Sequence, residues 1–296
     1  MSTAIRGEGG GPAAGAAAVG GSVAGDAGTA DQLAGAASRP EPHAVLVSGV
    51  GPGTGRALAL AFARQRATLV LSCRNPEAIA EIVEACREAG APAVHAVSCD
   101  ITKPEQRAAL VARVRELTGR LDVLVNNAFA TGRIAPIAGS DPARAWRAAF
   151  EVNVFGTVGL CADCLSLMPS GSSIVSISTL AAHKAHPGLA GYGASKAALE
   201  AAMRALAVEA APGGVRVNTI TPSHIDGPNL QAGIRIEAQI RGVSDEQVRA
   251  GYMDQGLLRH ITTPEEIADC AVFLASPAAR SITGQVLHLN NGQWLP

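Results

Sequence analysis

Aromatic residues are scarce in this chain of 296 residues, where phenylalanine, tryptophan and tyrosine together make up only 3%. Because 48% of the residues are nevertheless hydrophobic, the core must consist mostly of Ala, Val, Leu and Ile. Aliphatic cores of this kind are typical of α/β proteins, in which buried parallel strands are runs of such residues. The composition therefore favours an α/β fold.

An excess of charge of either sign is also missing. The formal net charge is −1 and the pI is near 6.7, so there is no electrostatic reason to expect nucleic acid or an anionic membrane as partner. No segment approaches the roughly 18 consecutive apolar residues of a membrane span. The N-terminus lacks the basic and apolar regions of a secretory signal. We therefore expect a cytoplasmic protein with no nucleic-acid or membrane partner.

Paired cysteines at metal-binding spacing are nearly absent. The chain has six cysteines, which we expect to be reduced thiols in a cytosolic protein. Cys161 and Cys164 form a C-x-x-C, but no second Cys or His pair accompanies them at the spacing of a zinc site. We interpret them as small core residues of a helix, and the sequence predicts no metal site.

The N-terminal segment has no aromatic residue and no apolar periodicity. Of its first 40 residues, 22 are Gly or Ala. Such a segment cannot bury enough apolar surface to offset its ordering entropy, so residues 1–41 are predicted to be a disordered Gly/Ala-rich tail. A transit peptide is the alternative, but two arginines among several acids argue against it. The folded domain is predicted to span residues 42–296.

From residue 42 onward, short β-branched runs alternate with segments of helical spacing. The predicted strands are 43–50, 67–73, 93–100, 121–127, 172–178, 215–220 and 285–290. The predicted helices are 56–65, 76–90, 103–119, about 142–168, the segment from Tyr192 onward, and 263–276. Repeated β-α alternation predicts a single doubly wound parallel sheet, a Rossmann fold, with helices on both faces. The segment 223–262 breaks this rhythm after a strand and is predicted to be a helical substrate lid.

The first strand runs into "SGVGPGTGRALAL", which has glycines at the strand-to-helix turn. Without side chains, Gly49, Gly53 and Gly55 would let backbone N–H groups approach a pyrophosphate at the helix N-terminus. The alternative is a tight turn that only allows close packing of helix on sheet.

A second motif is "YGASK", in which Tyr192 precedes Lys196 by four positions. On a helix these side chains lie on one face, one turn apart. They could form a catalytic pair, or the lysine could simply point into water at a polar helix start.

The two motifs are joined by others in a fixed order, and together they resemble the short-chain dehydrogenase/reductase family over about residues 43 to 296. The fragments are the G-x-x-x-G-x-G turn, "CD" (99–100), "VNNA" (125–128), "NVFG" (153–156), "SISTLAA" (176–182), "YGASKAALEAA" (192–202), "VRVNTITP" (215–222) and "LASPAARSITGQVLHLNNG" (274–292). The resemblance implies an oxidoreductase that acts on a secondary alcohol or carbonyl.

The resemblance also implies catalytic roles. Tyr192 matches the general acid/base, and Lys196 matches the lysine that lowers the tyrosine's pKa and binds the nicotinamide ribose. Asn153 matches the asparagine that positions a water. The family's substrate-holding serine falls at Thr179, thirteen positions before Tyr192, and Ser178 takes its place if the loop carries an insertion. Threonine keeps the hydroxyl that the role requires.

Cofactor choice depends on the end of the second strand. Members that use NAD place an acid there, whereas this chain has Cys73 and then Arg74, a partner suited to a 2′-phosphate. NADP(H) is therefore expected to be preferred, with NAD(H) possible, unless Arg74 is only a solvated surface residue. The resemblance assigns these residues to the cofactor site: Gly49, Gly53, Thr54, Gly55, Arg74, Asp100, Ile101, Asn127, Ala128, Tyr192, Lys196, Pro222 and Ile225. Asp100 could instead cap the following helix.

Several positions depart from the family's pattern. Phe129 replaces the glycine of "NNAG", Ser223 replaces the glycine of "PG", and Gly227 displaces a threonine. These changes motivate an alternative, a catalytically silent dinucleotide-binding module that senses redox state or regulates. His183, His186 and His224 fall in loops that should border the substrate pocket, where lone histidines are usually solvated or structural.

The family usually assembles through two long helices. In this chain they are the segments near 142–168 and 192–211, whose alanine-rich faces allow close packing. The resemblance therefore implies a homodimer or homotetramer that acts on a small-molecule substrate.

Overall fold

Seven short aliphatic strands form one parallel sheet in the computed structural model, which describes residues 44–295. The strands are β1 Ala44–Ser48, β2 Thr68–Cys73, β3 Val94–Ser98, β4 Val123–Asn126, β5 Ser173–Ile177, β6 Arg216–Pro222 and β7 Val286–Leu289. Their order across the sheet is β3-β2-β1-β4-β5-β6-β7. The predicted tail, residues 1–41, lies outside the described residues.

The strand order reverses direction at β1. Val45 of β1 pairs with Leu69 of β2 on one side and with Val123 of β4 on the other, and both pairings are parallel. In open sheets of this kind, ligands bind beyond the carboxyl ends of the strands at such a switch point. The fold therefore places a crevice after Ser48 and Asn126.

Nine α-helices lie in the described part of the chain. They are α1 Thr54–Arg64, α2 Ala80–Glu88, α3 Pro104–Thr118, α4 Pro142–Phe150, α5 Thr157–Cys164, α6 Ala190–Ala210, α7 Pro228–Arg241, α8 Asp245–Met253 and α9 Pro264–Ala275. A π-helical turn, Glu151–Gly156, joins α4 to α5, so the predicted helix near 142–168 is continuous but distorted at its centre. The helix starts follow local sequence, as Thr263 and Ser244 form capping boxes before α9 and α8.

The two faces of the sheet carry separate cores because successive strand side chains point to opposite sides. Val45 and Val47 belong to the core that contains buried residues of α1, α2 and α9. Leu46 belongs to the core formed with α3, α5 and α6. Cys161 and Cys164 lie fully buried in this second core, so their interpretation as small core residues is confirmed. Helices therefore cover both faces, as predicted.

The continuous helical stretch Pro142–Leu167 is long and apolar enough to cross a membrane by length and composition alone. Core helices of globular proteins meet the same criteria. Leu160 and Cys164 of this stretch are buried against α3 and α6, and Asn153 lies fully buried at its centre.

The segment that breaks the β-α rhythm contains the hairpin of α7 and α8. Ile234, Ala238 and Val248 give this hairpin a small core of its own. At its base, Asp226 forms an ion pair with Arg249 of α8. The segment is thus helical, while its role as a substrate lid stays a prediction.

Candidate active site

The glycine-rich turn between β1 and α1 is pressed against the end of β4. Gly49 has a φ of 87°, and a Cβ there would lie 2.2 Å from the backbone nitrogen of Ala128. A Cβ on Gly55 would lie 2.9 Å from the Gly49 carbonyl oxygen. The Asn127 side chain donates a 2.7 Å hydrogen bond to that same oxygen. Only glycine fits both positions, and the turn is locked to the loop that follows β4.

The outer side of this turn is open. No heavy atom lies within 4 Å of the position a Cβ would take on Gly51, and the turn leads directly into the N-terminus of α1. Open backbone at a helix N-terminus fits a pyrophosphate, because N–H groups and the helix dipole both favour an anion. The residues present therefore fit a dinucleotide.

Two adjoining cavities follow the carboxyl edge of the sheet. The first has a volume of about 780 Å³ and lies beyond β1, β2, β3 and β4. The second has a volume of about 430 Å³ and lies beyond β5 and β6, in front of α6. Both are lined by Gly49, Gly51, Pro52, Asn127 and Phe129. The cleft therefore has two halves that share the glycine-rich turn as a common wall.

The first cavity brings together four residues predicted to bind the cofactor, which are Arg74, Asp100, Ile101 and Ala128. It is also lined by Cys73, which stands where members that use NAD have an acid. Arg74 is exposed at the end of β2. Of the described residues that line this cavity, Asp100 is the only acid.

The carboxylate of Asp100 is held in place by the next turn. It accepts hydrogen bonds of 3.0 and 2.8 Å from the backbone N–H and the hydroxyl of Thr102. Burial acts to raise the pKa of Asp100, but these bonds and the charges of Lys103 and Arg74 hold it below its ordinary value. Asp100 does not cap α3, because Lys103 is the residue at that N-cap.

The second cavity contains the predicted catalytic groups Tyr192, Lys196, Thr179 and Ser178. Tyr192 lies in the first turn of α6. A Cβ on Gly193 would come within 2.4 Å of the Ala181 carbonyl oxygen, so α6 packs directly on the turn that follows β5. This close approach brings the loop that carries Thr179 against the start of the helix.

Lys196 does not point into water. Its side chain is 3% exposed, and Nζ donates a 2.7 Å hydrogen bond to the Ile177 carbonyl oxygen. Burial lowers the pKa of Lys196 to about 8, and the charge of Glu200 opposes that change. The alternative of a solvated lysine at a polar helix start is therefore wrong.

Burial acts on Tyr192 in the opposite direction. It raises the pKa of the phenol to about 12, and a hydrogen bond with Thr179 opposes the rise. In the protein alone the pKa of the phenol thus lies above its ordinary value, because the loss of solvation is the largest effect. That Lys196 lowers this pKa stays a prediction.

The two candidate hydroxyls have different partners. The Thr179 side chain lies within hydrogen-bonding distance of Tyr192 and also accepts a 3.3 Å bond from the backbone of Ala181. The Ser178 hydroxyl donates a 2.6 Å hydrogen bond to Glu200 instead. The phenol is thus contacted by the threonine.

Asn153 lies in the π-helical turn and is fully buried. Its amide nitrogen donates to the Ala130 carbonyl oxygen at 2.8 Å and to the Ser195 hydroxyl at 2.9 Å. Its amide oxygen accepts a 2.8 Å bond from the Ala130 N–H. The side chain fixes the loop after β4 against α6, and both amide hydrogens are used. The predicted role in holding a water stays a prediction.

The remaining predicted residues divide between the two halves of the cleft and its surroundings. Thr54, Gly53, Gly55, Pro222, Ser223, His224, Ile225 and Gly227 line the second cavity. Phe129 is 50% exposed, lines both cavities, and has its ring centroid 6.3 Å from that of Tyr192. At the position where the family usually has a glycine, this chain thus has Phe129, whose ring lies beside the Tyr192 phenol.

The three loop histidines have different surroundings. Burial lowers the pKa of His224 to about 4, so its imidazole is neutral. His224 and His186 also line a smaller cavity of about 300 Å³ on the inner side of the α7–α8 hairpin. His183 contacts Glu200, with 2.9 Å between Nε2 and the carboxylate.

Glu200 was not among the residues predicted from the sequence. It lies one helical turn after Lys196 and two after Tyr192, so its spacing on the same face of α6 could have identified it. No cluster of three or more potential metal ligands occurs among residues 44–295.

Comparison with known proteins adds to this geometry. A family model described as "Enoyl-(Acyl carrier protein) reductase" matches residues 49–293. A 3beta-hydroxysteroid dehydrogenase from Mediterraneibacter gnavus is 32% identical and covers 84% of this chain and 93% of its own length. The structure of the short-chain dehydrogenase/reductase "SDR:Glucose/ribitol dehydrogenase" from Brucella melitensis superimposes with a TM-score of 0.77 at 29% identity, covering 88% and 99% of the two chains. NAD+-bound xylitol dehydrogenase gives a TM-score of 0.76 at 25% identity, covering 85% and 98%.

Proposed function

Because the chain belongs to the short-chain dehydrogenase/reductase family, we propose that it transfers hydride between NADP(H) and the carbon of a secondary alcohol or carbonyl, with Tyr192 as general acid/base. The chain is an oxidoreductase with a nucleotide-binding fold, and the proposal adds the cofactor, the substrate class and the residue roles. The observation that carries the proposal is that Tyr192, Thr179 and Lys196 line the second cavity together with the glycine-rich turn.

The proposed roles follow from the contacts of each group. The Thr179 hydroxyl can hold the substrate oxygen, because it donates and accepts and already lies beside the phenol. A bound NADPH supplies the hydride, and NADP+ accepts it in the reverse direction. In reduction the carbonyl oxygen gains the electron pair of its π bond and takes the proton from the Tyr192 hydroxyl. The Lys196 ammonium stabilises the phenolate left behind.

The preference for NADP(H) is supported by Arg74 at the end of β2, where no carboxylate would repel a 2′-phosphate. Cys73 and Asn75, the neighbours of Arg74 in the chain, are uncharged. The NAD+ named for the xylitol dehydrogenase structure shows that this fold also accepts the cofactor without the phosphate. NAD(H) is therefore proposed as the weaker alternative.

The substrate is proposed to carry its oxygen on a largely apolar skeleton. Phe129 lines the second cavity, as do Ile225 and Leu230. The relative from Mediterraneibacter gnavus is named for a hydroxysteroid, a ring alcohol of this kind.

The test is a panel of apolar ketones and secondary alcohols assayed with NADPH and NADH in parallel, in wild type and in Tyr192→Phe. We expect the substitution to lower turnover by roughly 10²- to 10⁴-fold, because it removes the proton-transferring hydroxyl. The dissociation constant for NADPH, measured by fluorescence titration, should stay near the wild-type value.

Tyr252→Phe is the matched control, since it deletes the chain's other phenolic hydroxyl. That hydroxyl donates a hydrogen bond to Glu237 in the α7–α8 hairpin. Turnover in this variant should exceed that of Tyr192→Phe by at least tenfold. Binding of NADPH without turnover across the panel would favour the catalytically silent module. The activities named for the relative and the solved structures do not favour that alternative.

A homodimer or homotetramer is also proposed. The support is an exposed apolar surface on α6 and on the stretch from α4 to α5, where Phe155 and Val208 are 61% and 75% exposed.

A further inference from the structure

Glu200 is a buried carboxylate that the reaction outlined above does not use. It is 2% exposed and lies on α6 one turn beyond Lys196. Burying a carboxylate is costly unless several groups bind it. Its partners therefore indicate what the residue does.

Three contacts satisfy the Glu200 carboxylate, and they come from two different segments. One oxygen accepts hydrogen bonds from the hydroxyls of Ser178, at 2.6 Å, and Thr221, at 3.0 Å. The other oxygen lies 2.9 Å from Nε2 of His183. Ser178 and His183 belong to the loop after β5, and Thr221 belongs to β6.

Two of these partners, Ser178 and Thr221, adjoin residues of the candidate site. Ser178 immediately precedes Thr179, whose side chain contacts Tyr192. Thr221 immediately precedes Pro222, which lines the second cavity. One carboxylate on the catalytic helix thus holds the ends of β5 and β6 in place against that helix.

The charge of Glu200 acts on Lys196 as well. Burial lowers the pKa of Lys196, and Glu200 is the charge that opposes this effect. The other titratable groups that face the pair are Tyr192 on α6, His183 in the loop after β5 and His288 on β7. His183 and His288 lie edge to face against each other, with Trp294 stacked on His183.

We propose that Glu200 is a positioning residue that supplies the counter-charge of the buried Lys196 ammonium and fixes, through Ser178 and Thr221, the strand ends that flank Tyr192. Ser178 is then a hydrogen-bond partner of Glu200, and Thr179 alone binds the substrate oxygen. The inference rests on the proposed function, since it assigns a role in that same site.

Two substitutions at Glu200 separate charge from geometry. Glu200→Gln keeps the length and the hydrogen-bonding capacity but removes the charge. Glu200→Asp keeps the charge but is one methylene shorter, so it cannot reach all its partners. Thr221→Val removes one hydrogen bond and leaves the charge, which makes it the control for a purely structural effect.

The first measurement is the pH profile of kcat/KM for NADPH-dependent reduction. Activity that requires the Lys196 ammonium is lost as pH rises through the lysine's pKa. We expect the alkaline limb of Glu200→Gln to lie roughly one pH unit below that of wild type. Glu200→Asp should lower kcat about tenfold or more with its alkaline limb unmoved, because proton transfer depends on geometry. Thr221→Val should also leave the limb unmoved.

The second measurement needs no substrate. Folded Lys196 releases its proton near pH 8 and the unfolded chain near 10.5, so the stability penalty is full below pH 8 and declines as pH rises. Removing the Glu200 charge lowers the pKa of Lys196 in the folded protein further. It therefore reduces the stability of the folded protein only at the lower pH values, where Lys196 is protonated. The deficit in melting temperature of Glu200→Gln relative to wild type should therefore shrink as pH rises from 7 to 9. The thiols and Tyr192 are common to both proteins and cancel. His183 and His288 also face Glu200 and would not cancel, so both proteins are compared with these two residues replaced by Gln.

A Glu200→Gln enzyme with the wild-type alkaline limb, or a melting-temperature deficit that is constant over this pH range, would overturn the assignment of counter-charge. A Glu200→Asp enzyme with wild-type kcat would overturn the assignment of positioning, and this variant serves if Glu200→Gln does not fold. Failure of the proposed function is distinguishable, because it would abolish turnover in wild type while the pH-dependent stability difference remained.

Discussion

At the scale of single residues, the site combines two ionisable groups that burial makes reluctant to carry charge. The pKa of Tyr192 is raised to about 12 and that of Lys196 is lowered to about 8. A charge in such a poorly solvated place acts strongly on its neighbours, since little water screens it. A protonated Lys196 favours ionisation of the phenol, which is why the buried carboxylate of Glu200 matters.

The proposed preference for NADP(H) rests on one side chain in the first cavity, and Arg74→Ala tests it. The substitution removes a guanidinium that can form charge-assisted hydrogen bonds with a 2′-phosphate, worth about 1.5–3 kcal/mol. We expect kcat/KM for NADPH to fall roughly 10- to 100-fold while the value for NADH changes little. Steady-state assays with both cofactors measure this ratio.

Arg113→Ala is the matched control for Arg74→Ala, because Arg113 is an exposed arginine on α3 paired with Glu116. It should leave the ratio of the two kcat/KM values at the wild-type level. An equal fall in kcat/KM for NADPH and NADH in Arg74→Ala would mean that Arg74 does not bind the 2′-phosphate.

At the scale of elements, the decisive contact is the one between α6 and the turn after β5. Gly193 allows the helix backbone to approach the Ala181 carbonyl, and the same approach brings Thr179 to Tyr192. The glycine inside "YGASK" is thus explained by packing, in addition to the reactive residues on either side of it.

Gly193→Ala would place a methyl group 2.4 Å from a backbone oxygen that cannot move away alone. We expect a loss of about 1–3 kcal/mol in the free energy of unfolding, measured by denaturant titration, because the helix and the turn must separate. Turnover should fall with it, since Thr179 is carried on that turn.

Gly233→Ala is the paired control on α7. No atom lies within 4 Å of the Cβ position at Gly233, so the same change should raise the free energy of unfolding by about 0.5–1 kcal/mol. Equal effects at Gly193 and Gly233 would contradict the packing argument.

Elements of this fold were predictable where local pattern and topology agree. Strands such as β1 and β4 are short aliphatic runs between helices, and regular alternation leaves a parallel sheet as the arrangement that buries them. The π-helical turn at Asn153 was not predicted. It packs against a segment distant in the chain, since a Cβ on Gly156 would lie 2.9 Å from Ile101.

In the candidate site, too, local relations were predictable from the sequence and tertiary contacts were not. Tyr192 and Lys196 could be paired from helical spacing, because their relation is local. The contact of Glu200 with Ser178 and His183 could not, because it depends on how the loop after β5 folds back over α6. Burial, which raises the pKa of Tyr192, is likewise a tertiary property.

At the scale of the whole molecule, the candidate active site and an apolar outer groove are connected through the contact between α4 and α6. Trp146 of α4 packs on Gly191, where a Cβ would come within 2.4 Å of the indole ring. Gly191 directly precedes Tyr192. Trp146 also borders an outer groove with Phe150 and Phe155. A second copy bound in this groove would therefore contact Trp146, which packs against the start of α6.

The groove gives the last prediction, which concerns assembly. We expect the full chain to be a dimer or tetramer by size-exclusion chromatography with light scattering. Phe155→Glu should raise the dissociation constant of that assembly about 30-fold or more. A buried aromatic side chain contributes roughly 2 kcal/mol or more to the free energy of association, and a carboxylate buried in its place would be poorly solvated. Ile240→Glu, at an 80% exposed position on α7, is the control and should keep the wild-type mass. A monomeric wild type, or equal masses for wild type and Phe155→Glu at low micromolar concentration, would mean that this surface does not hold the copies together.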